Sequence, residues 1–219
     1  MKIIDVKRDV LSKNDQIAAG IREKLKARGI LTLNFISSPG SGKTTLLVKT
    51  IEDLKSRIPV AVIEGDQQTD NDAKRIAATG VPVIQINTQS SCHLDAAMVE
   101  GALEKLGFVG PGLLFIENVG NLVCPASYDL GEEMKVALVS VTEGEDKPVK
   151  YPKAFRASSA MVITKTDLLP HLDLDMARLL DYSMKVNPAL KVFHLSAKSG
   201  DGLDDWYGFI LSTYLSVSP

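Results

Sequence analysis

Seven short, continuous apolar runs alternate with helical patterns along this chain, and no other feature restricts its fold as strongly. The runs cover 31–36, 60–63, 83–86, 113–116, 136–141, 161–164 and 192–195. Each is unbroken instead of alternating, the pattern of a strand buried on both faces. Helical spacing fills most of the gaps, at 44–57, 71–78, 94–106, 174–185 and 203–215. Such alternation predicts an α/β fold, a mostly parallel sheet of about seven strands with helices on both faces. Ahead of the first run, Ile17, Ile21 and Leu25 recur every fourth residue. They predict an amphipathic helix over about 14–28, with Gly29 in a left-handed cap. No repeat, low-complexity tract or linker divides the 219 residues, so one domain over 1–219 is expected. The polar interruption at 143–152, EGEDKPVKYP, reads as a solvated surface loop.

Composition narrows the function. With 25 basic against 27 acidic residues, the net charge of -2 gives no general attraction to nucleic acid or an anionic membrane. No apolar run approaches the ~18 residues of a membrane span. The N-terminal MKIIDVKRDV mixes charges, unlike a signal sequence, so a soluble, cytoplasmic protein is expected. Two cysteines and three histidines are too few for a disulfide scaffold and enough for one small metal site.

Directly after the first predicted strand comes Ser37-Ser38-Pro39-Gly40-Ser41-Gly42-Lys43-Thr44-Thr45. The phosphate-loop pattern G-x-x-x-x-G-K-S/T is matched by Gly42, Lys43 and Thr44, with Ser37 at the first glycine position. Pro39, Gly40, Ser41 and Gly42 let the backbone wrap closely, so that N–H groups and a helix N-terminus can meet phosphate oxygens. Lys43 would bridge the β- and γ-phosphates, Thr44 would ligate magnesium, and Thr45 adjoins both. A loop of this kind between strand and helix predicts a three-layer P-loop NTPase.

Two later segments point to guanine. Thr164-Lys165-Thr166-Asp167 follows the sixth run, and Ser196-Ala197-Lys198 follows the seventh. A carboxylate can accept both guanine N–H donors, whereas adenine would leave Asp167 unpaired. The stem of Lys165 can cover the base, and the Ala197 N–H can bind the guanine oxygen. Glu64-Gly65-Asp66 and Glu117-Asn118-Val119-Gly120 close the second and fourth runs, at strand ends where ligands gather in such sheets. Asp66 is the favoured carboxylate for magnesium or for positioning water. Glu117 could reach the metal or its water shell, and Gly120 could offer its N–H to the γ-phosphate. Asp70 and Asp72 read as residues of a helix start. No arginine stands out as a finger in cis, so unassisted turnover is expected to be slow.

Cys92 and His93 are adjacent after the third run, placed to open a helix, and Cys124 follows Gly120 by four residues. Thiolate plus imidazole suits nickel, zinc or copper(I) rather than magnesium. Three ligands are one short of a closed tetrahedral site, so water or a second subunit is expected to complete it. His171 reads as a loop or helix-start residue and His194 as part of a strand.

The segments SPGSGKTTLL, EGDQQTDNDAKRI, SCHLDAAMV, ENVGNLVCPASYDLGE, VTEGEDKPVKYPKAF, ITKTDLLP and LSAKSGDGLDDW, in this order over about 31–206, resemble the HypB family of hydrogenase nickel-incorporation GTPases. The resemblance implies a SIMIBI-class GTPase that dimerises near its nucleotides. It implies a metallochaperone that works with a HypA-type nickel chaperone on the [NiFe] hydrogenase large subunit precursor. It places phosphate and magnesium on Lys43 and Thr44, guanine on Asp167, and nickel or zinc on Cys92, His93 and Cys124. Some family members carry an N-terminal cysteine motif or histidine-rich tract. This sequence shows neither, so the expected metal site is the one beside the nucleotide. Because Cys124 lies close to Gly120, GTP is expected to act on the metal site, and hydrolysis to release it. A UreG-like urease-maturation GTPase is the nearest alternative, and a P-loop small-molecule kinase a more distant one.

Overall fold

The computed structural model describes residues 6–218, with side chains from residue 9 onward. Seven strands form the sheet: β1 (Ile30–Ser37), β2 (Val60–Asp66), β3 (Val83–Asn87), β4 (Gly112–Glu117), β5 (Met134–Ser140), β6 (Ala160–Thr164) and β7 (Lys191–His194). They lie in the order β3-β2-β4-β1-β5-β6-β7, and every pairing is parallel. All carboxyl ends therefore share one edge, with β1 at its centre.

Helices cover both faces: α1 (Val6–Ala27), α2 (Lys43–Leu54), α3 (Asn71–Ala77), α4 (Ala96–Leu106), α5 (Lys147–Lys150), α6 (Pro152–Ala157), α7 (Met176–Val186) and α8 (Leu203–Val217). Alternating residues of β1 serve opposite faces, as strand geometry requires. Leu31, Leu33 and Phe35 pack with α2 and α8, whereas Ile30 meets α1 and α4, and Ile36 meets α6 and α7. Three layers result, as the alternation of runs implies. Trp206 of α8 is fully buried among Phe35, Phe193 and Phe209, and its Nε1 donates to Thr50 of α2 at 3.1 Å.

Three differences from the sequence reading have physical causes. The first helix begins well before residue 14. Residues 9–13 carry no buried side chain, Val10 being 50% exposed, so apolar spacing could not reveal this stretch. The helix docks through its later turns: Arg22 pairs with Asp129 at 2.5 Å, and Gly131, at φ 81°, leaves no room for a Cβ beside Ile21. Burial on both faces holds for the five inner strands, but the edge strands β3 and β7 are only partly buried.

The charged segment 143–152 is not simply a solvated loop. It includes α5 and the start of α6, and it braces the phosphate loop from outside the sheet. The Ser41 hydroxyl and the Ser140 N–H donate to Glu143 at 2.9 and 2.8 Å, and Lys147 Nζ donates to Ser38 Oγ at 3.1 Å. A run of charges gave no sign that its partners lie a hundred residues away.

Candidate functional site

The phosphate loop leaves β1 at the centre of the carboxyl edge and enters α2. Ser37 is the last residue of β1. Gln89 and Lys165 are the positive-φ residues other than glycine among those described, so Ser37 needs no glycine-like backbone. Its hydroxyl instead accepts from Lys43 Nζ at 3.0 Å. Gly42 takes the left-handed conformation at φ 92°, and α2 starts with no side-chain cap and no acidic residue in its first turn. In contrast, α4 and α7 are capped by Asp95 and Asp175. The first N–H groups of α2 and its positive dipole end are thus left for an anion.

A cavity of about 470 Å³ opens above this loop, lined by residues 39–45, 64–67, 117–120, Asp72, Arg75 and Lys165. Its floor is carboxylate. Glu64 and Glu117 are register partners on β2 and β4 and are nearly inaccessible. Thr44 Oγ1 donates to Glu117 at 2.7 Å, and Oε2 of each glutamate has no hydrogen-bond partner. Burial raises their pKa values to about 8 for Glu64 and about 7 for Glu117. Burial also lowers that of Lys43. Two unpartnered buried carboxylate oxygens beside a threonine hydroxyl form a hard donor set that fits magnesium. Asp66 lines the same cavity, but its Oδ1 accepts from the N–H groups of Gln68 and Thr69 at 2.6 and 2.9 Å. Gly120 sits against Pro39, where a Cβ would approach to 3.2 Å.

In the sequence Glu64 stands out only within the Glu64-Gly65-Asp66 strand end, where Asp66 is the favoured carboxylate, and Arg75 belongs to no motif. Arg75 of α3 donates to Thr45 Oγ1 at 3.0 Å and pairs with Asp72 at 3.2 Å, so one arginine stands at the rim after all. Asp70, at the start of α3, makes no side-chain cap and pairs with Lys74.

An adjoining cavity of about 270 Å³ is lined by Gly42, Thr45, Leu46, residues 164–168 in part, and residues 195–198. Thr164 Oγ1 donates to the Ser41 carbonyl at 2.6 Å, and Lys165 Nζ to the Gly40 carbonyl at 2.7 Å. These bonds tie the β6 end to the phosphate loop. Asp167 accepts from Ser196 Oγ at 2.6 Å, and Ser196 Oγ in turn accepts from the Lys198 N–H at 3.2 Å. The two segments read as base-selective thus meet in one slot, which Ala197 also lines.

Cys92, His93 and Cys124 come together on the same edge, all partly buried, with their ligand atoms within 4.8 Å of one another. The two sulfurs are 2.8 Å apart, and Cys92 Sγ lies 3.7 Å from His93 Nδ1. Cys92 and His93 sit in the loop between β3 and α4 and do not open the helix. Asp95 caps α4, so the helix starts at Ala96. Burial lowers the His93 pKa, which favours the neutral imidazole that ligates metal. Tyr128 stacks on His93 at a 3.9 Å centroid distance, a contact the sequence reading missed. His194 ends β7, as expected, whereas His171 ends a 3-10 turn and starts no helix.

A model of the CobW/HypB/UreG nucleotide-binding domain matches residues 31–194. The hydrogenase maturation factor HypB of Azotobacter chroococcum is 57% identical over 95% of this chain and 68% of its own length. The chain belongs to the HypB family. Two HypB crystal structures share its fold. That from Helicobacter pylori, in complex with nickel, matches at TM-score 0.86 and 41% identity, over 93% of this chain and 96% of that one. That from Archaeoglobus fulgidus matches at 0.87 and 36%, over 93% and 100%. Within this HypB-family chain the nucleotide-binding domain coincides with the cavity-bearing sheet, from β1 to the end of β7.

Proposed function

We propose that this chain is a GTP-hydrolysing nickel metallochaperone of [NiFe] hydrogenase maturation. The single observation that carries the reading is the thiol–imidazole cluster on the carboxyl edge that also holds the phosphate cavity. The cluster's sulfur and nitrogen donors suit nickel or zinc as cargo. A HypB from Helicobacter pylori solved with nickel supports nickel in particular.

Lys43, the N–H groups of 40–45 and the start of α2 bind the triphosphate, exchanging their present partners for phosphate oxygens. Asp167 and Ala197 select guanine, and the Lys165 stem covers the base. Thr44, Glu117 and Glu64 hold magnesium, which when bound neutralises charge on the β- and γ-phosphates. Asp66, at the same cavity, positions the attacking water. Gly120 donates its N–H to the γ-phosphate, and so connects nucleotide state to the segment that ends at Cys124. The three metal ligands are completed by water or by a second copy of the chain in a homodimer. A HypA-type nickel chaperone and the hydrogenase large subunit precursor are the expected donor and recipient.

Steady-state hydrolysis of GTP and ATP, with nickel titration of the GDP-bound protein, tests this reading. It requires GTP to be strongly preferred and nickel to bind in a manner lost on Cys92→Ala substitution. Equal turnover of both nucleotides would refute the guanine assignment.

A further inference from the structure

The loop carrying Cys92 and His93 and the loop carrying Gly120 are far apart in sequence, yet two asparagines join them. Asn118, 1% exposed, follows β4 directly. Its Oδ1 accepts from the Leu94 N–H at 3.2 Å and from the Val119 N–H at 3.0 Å. Leu94 is the neighbour of His93, and Val119 the neighbour of Gly120. One oxygen atom therefore holds the metal loop and the γ-phosphate loop together. The amide is fixed from behind, because its Nδ2 donates to Asn34 Oδ1 and Asn34 Nδ2 donates to Glu132, both at 3.2 Å. Leu94 has little freedom of its own, since a Cβ on Gly65 would lie 2.8 Å from it.

Asn121 makes the second link. It forms an isolated antiparallel bridge with Ser37, the residue on which Lys43 rests. Its Nδ2 reaches the Cys92 carbonyl at 3.4 Å, while its Oδ1 accepts from the Val123 N–H at 2.8 Å.

We propose that Asn118 and Asn121 are the positioning residues that transmit the state of the phosphate cavity to the Cys92–His93–Cys124 cluster. The inference rests on the reading that these are coupled nucleotide and nickel sites. A shared acceptor penalises any movement of one loop without the other, because the abandoned buried N–H would be left unpaired. When Gly120 turns toward a γ-phosphate, Val119 moves with it. The Asn118 amide must then turn with Val119 or leave the Val119 N–H unpaired, and if it turns Leu94 must follow or lose its acceptor, His93 moving with Leu94. The link through Asn121 adds the Cys92 carbonyl to the same response. Coupling carried this way is a property of two discrete loop arrangements, not of any contact between ligands.

The test measures Ni2+ affinity of the full chain by competition with a chromophoric chelator, once with GDP and once with a non-hydrolysable GTP analogue. The quantity read is the ratio of the two affinities within each protein, so a uniform loss of affinity cancels. The wild-type ratio should depart from one by about fivefold or more. Asn118→Ala removes the shared acceptor. Asn121→Ser keeps an acceptor for the Val123 N–H but is too short to reach the Cys92 carbonyl, and on a half-buried loop it spares the fold. Both variants should bring the ratio to within about twofold of one, a near-complete loss of the coupling factor. A coupled wild type with both variants still coupled would overturn the inference while leaving the coupled-site reading intact. Weaker nickel binding at an unchanged ratio would do the same, since that is what a merely structural role produces. A wild-type ratio of one would sink the coupled-site reading, and the inference with it.

Discussion

The phosphate cradle and the thiol cluster share one edge of the sheet and are built on opposite principles. In the cradle, the polar side chains proposed to meet a nucleotide already have protein partners. Lys43 rests on Ser37, Thr44 on Glu117, and Lys165 on the Gly40 carbonyl. A bound phosphate would exchange these partners for its own oxygens on a scaffold already shaped. In the cluster the sulfurs are each other's partners, with Cys92 Sγ donating to Cys124 Sγ. Its two sulfurs lie 2.8 Å apart, and as thiolates they would repel unless a cation stood between them. The cradle would thus exchange protein partners for its ligand, whereas the cluster would exchange thiol protons for its cargo.

Four measurements break or sharpen this contrast. The largest effect is expected for Lys43→Ala, with GTP turnover falling at least about 100-fold. Nickel affinity without nucleotide should be retained, as read by titration; if it collapsed, the two sites would not be separable. The mirror experiment is Cys92→Ala, where nickel affinity should fall by about 100-fold while GDP affinity, followed by calorimetry, stays the same.

The third concerns pH. Glu64 and Glu117 take up protons at about 8 and about 7 in the fold, against 4.5 as their ordinary value. Below about pH 4.5 each is neutral in both folded and unfolded chains. Between there and about pH 8 only the unfolded chain ionises fully, so stability without ligand falls as pH rises. Denaturant midpoints should show Glu117→Gln escaping up to about 3 kcal/mol of that loss. A parallel decline in both proteins would remove Glu117 from the account. The smallest effect is expected for Tyr128→Leu, which removes the ring stacked on His93. Nickel should bind roughly threefold to tenfold more weakly, with turnover unaltered. An unchanged affinity would make the stack incidental.

The cradle was legible in the sequence because its function resides in backbone conformation. Gly40, Gly42, Lys43 and Thr44 fall within five successive positions, and Thr164, Lys165 and Asp167 within four. Their spacing survives in one dimension. Glu64 was not legible as a floor residue, because only the β2–β4 register brings it beside Glu117. Arg75 reads as one charge on a helix surface until α3 is packed against α2. Tyr128, Asn118 and Asn121 act across loops, and no periodicity encodes which backbone N–H an asparagine will reach. The segment 143–152 failed for a similar reason: Glu143 looks solvated in sequence and finds Ser41 only in the fold. The start of α4 shifted because capping overrode apolar spacing, Asp95 leaving Cys92 and His93 outside the helix.

Trp206 gives the molecule a built-in optical probe. It is the chain's single tryptophan, and its indole N–H is held by Thr50 on the helix that the phosphate loop begins. Its emission therefore originates from one environment, on the face of the sheet opposite α1 and α4. Quenching or a spectral shift on nucleotide addition would report movement of α2, while loss of the signal in denaturant would report unfolding of that layer. Both can be followed without a label, and neither the cysteine nor the asparagine variants touch the fluorophore.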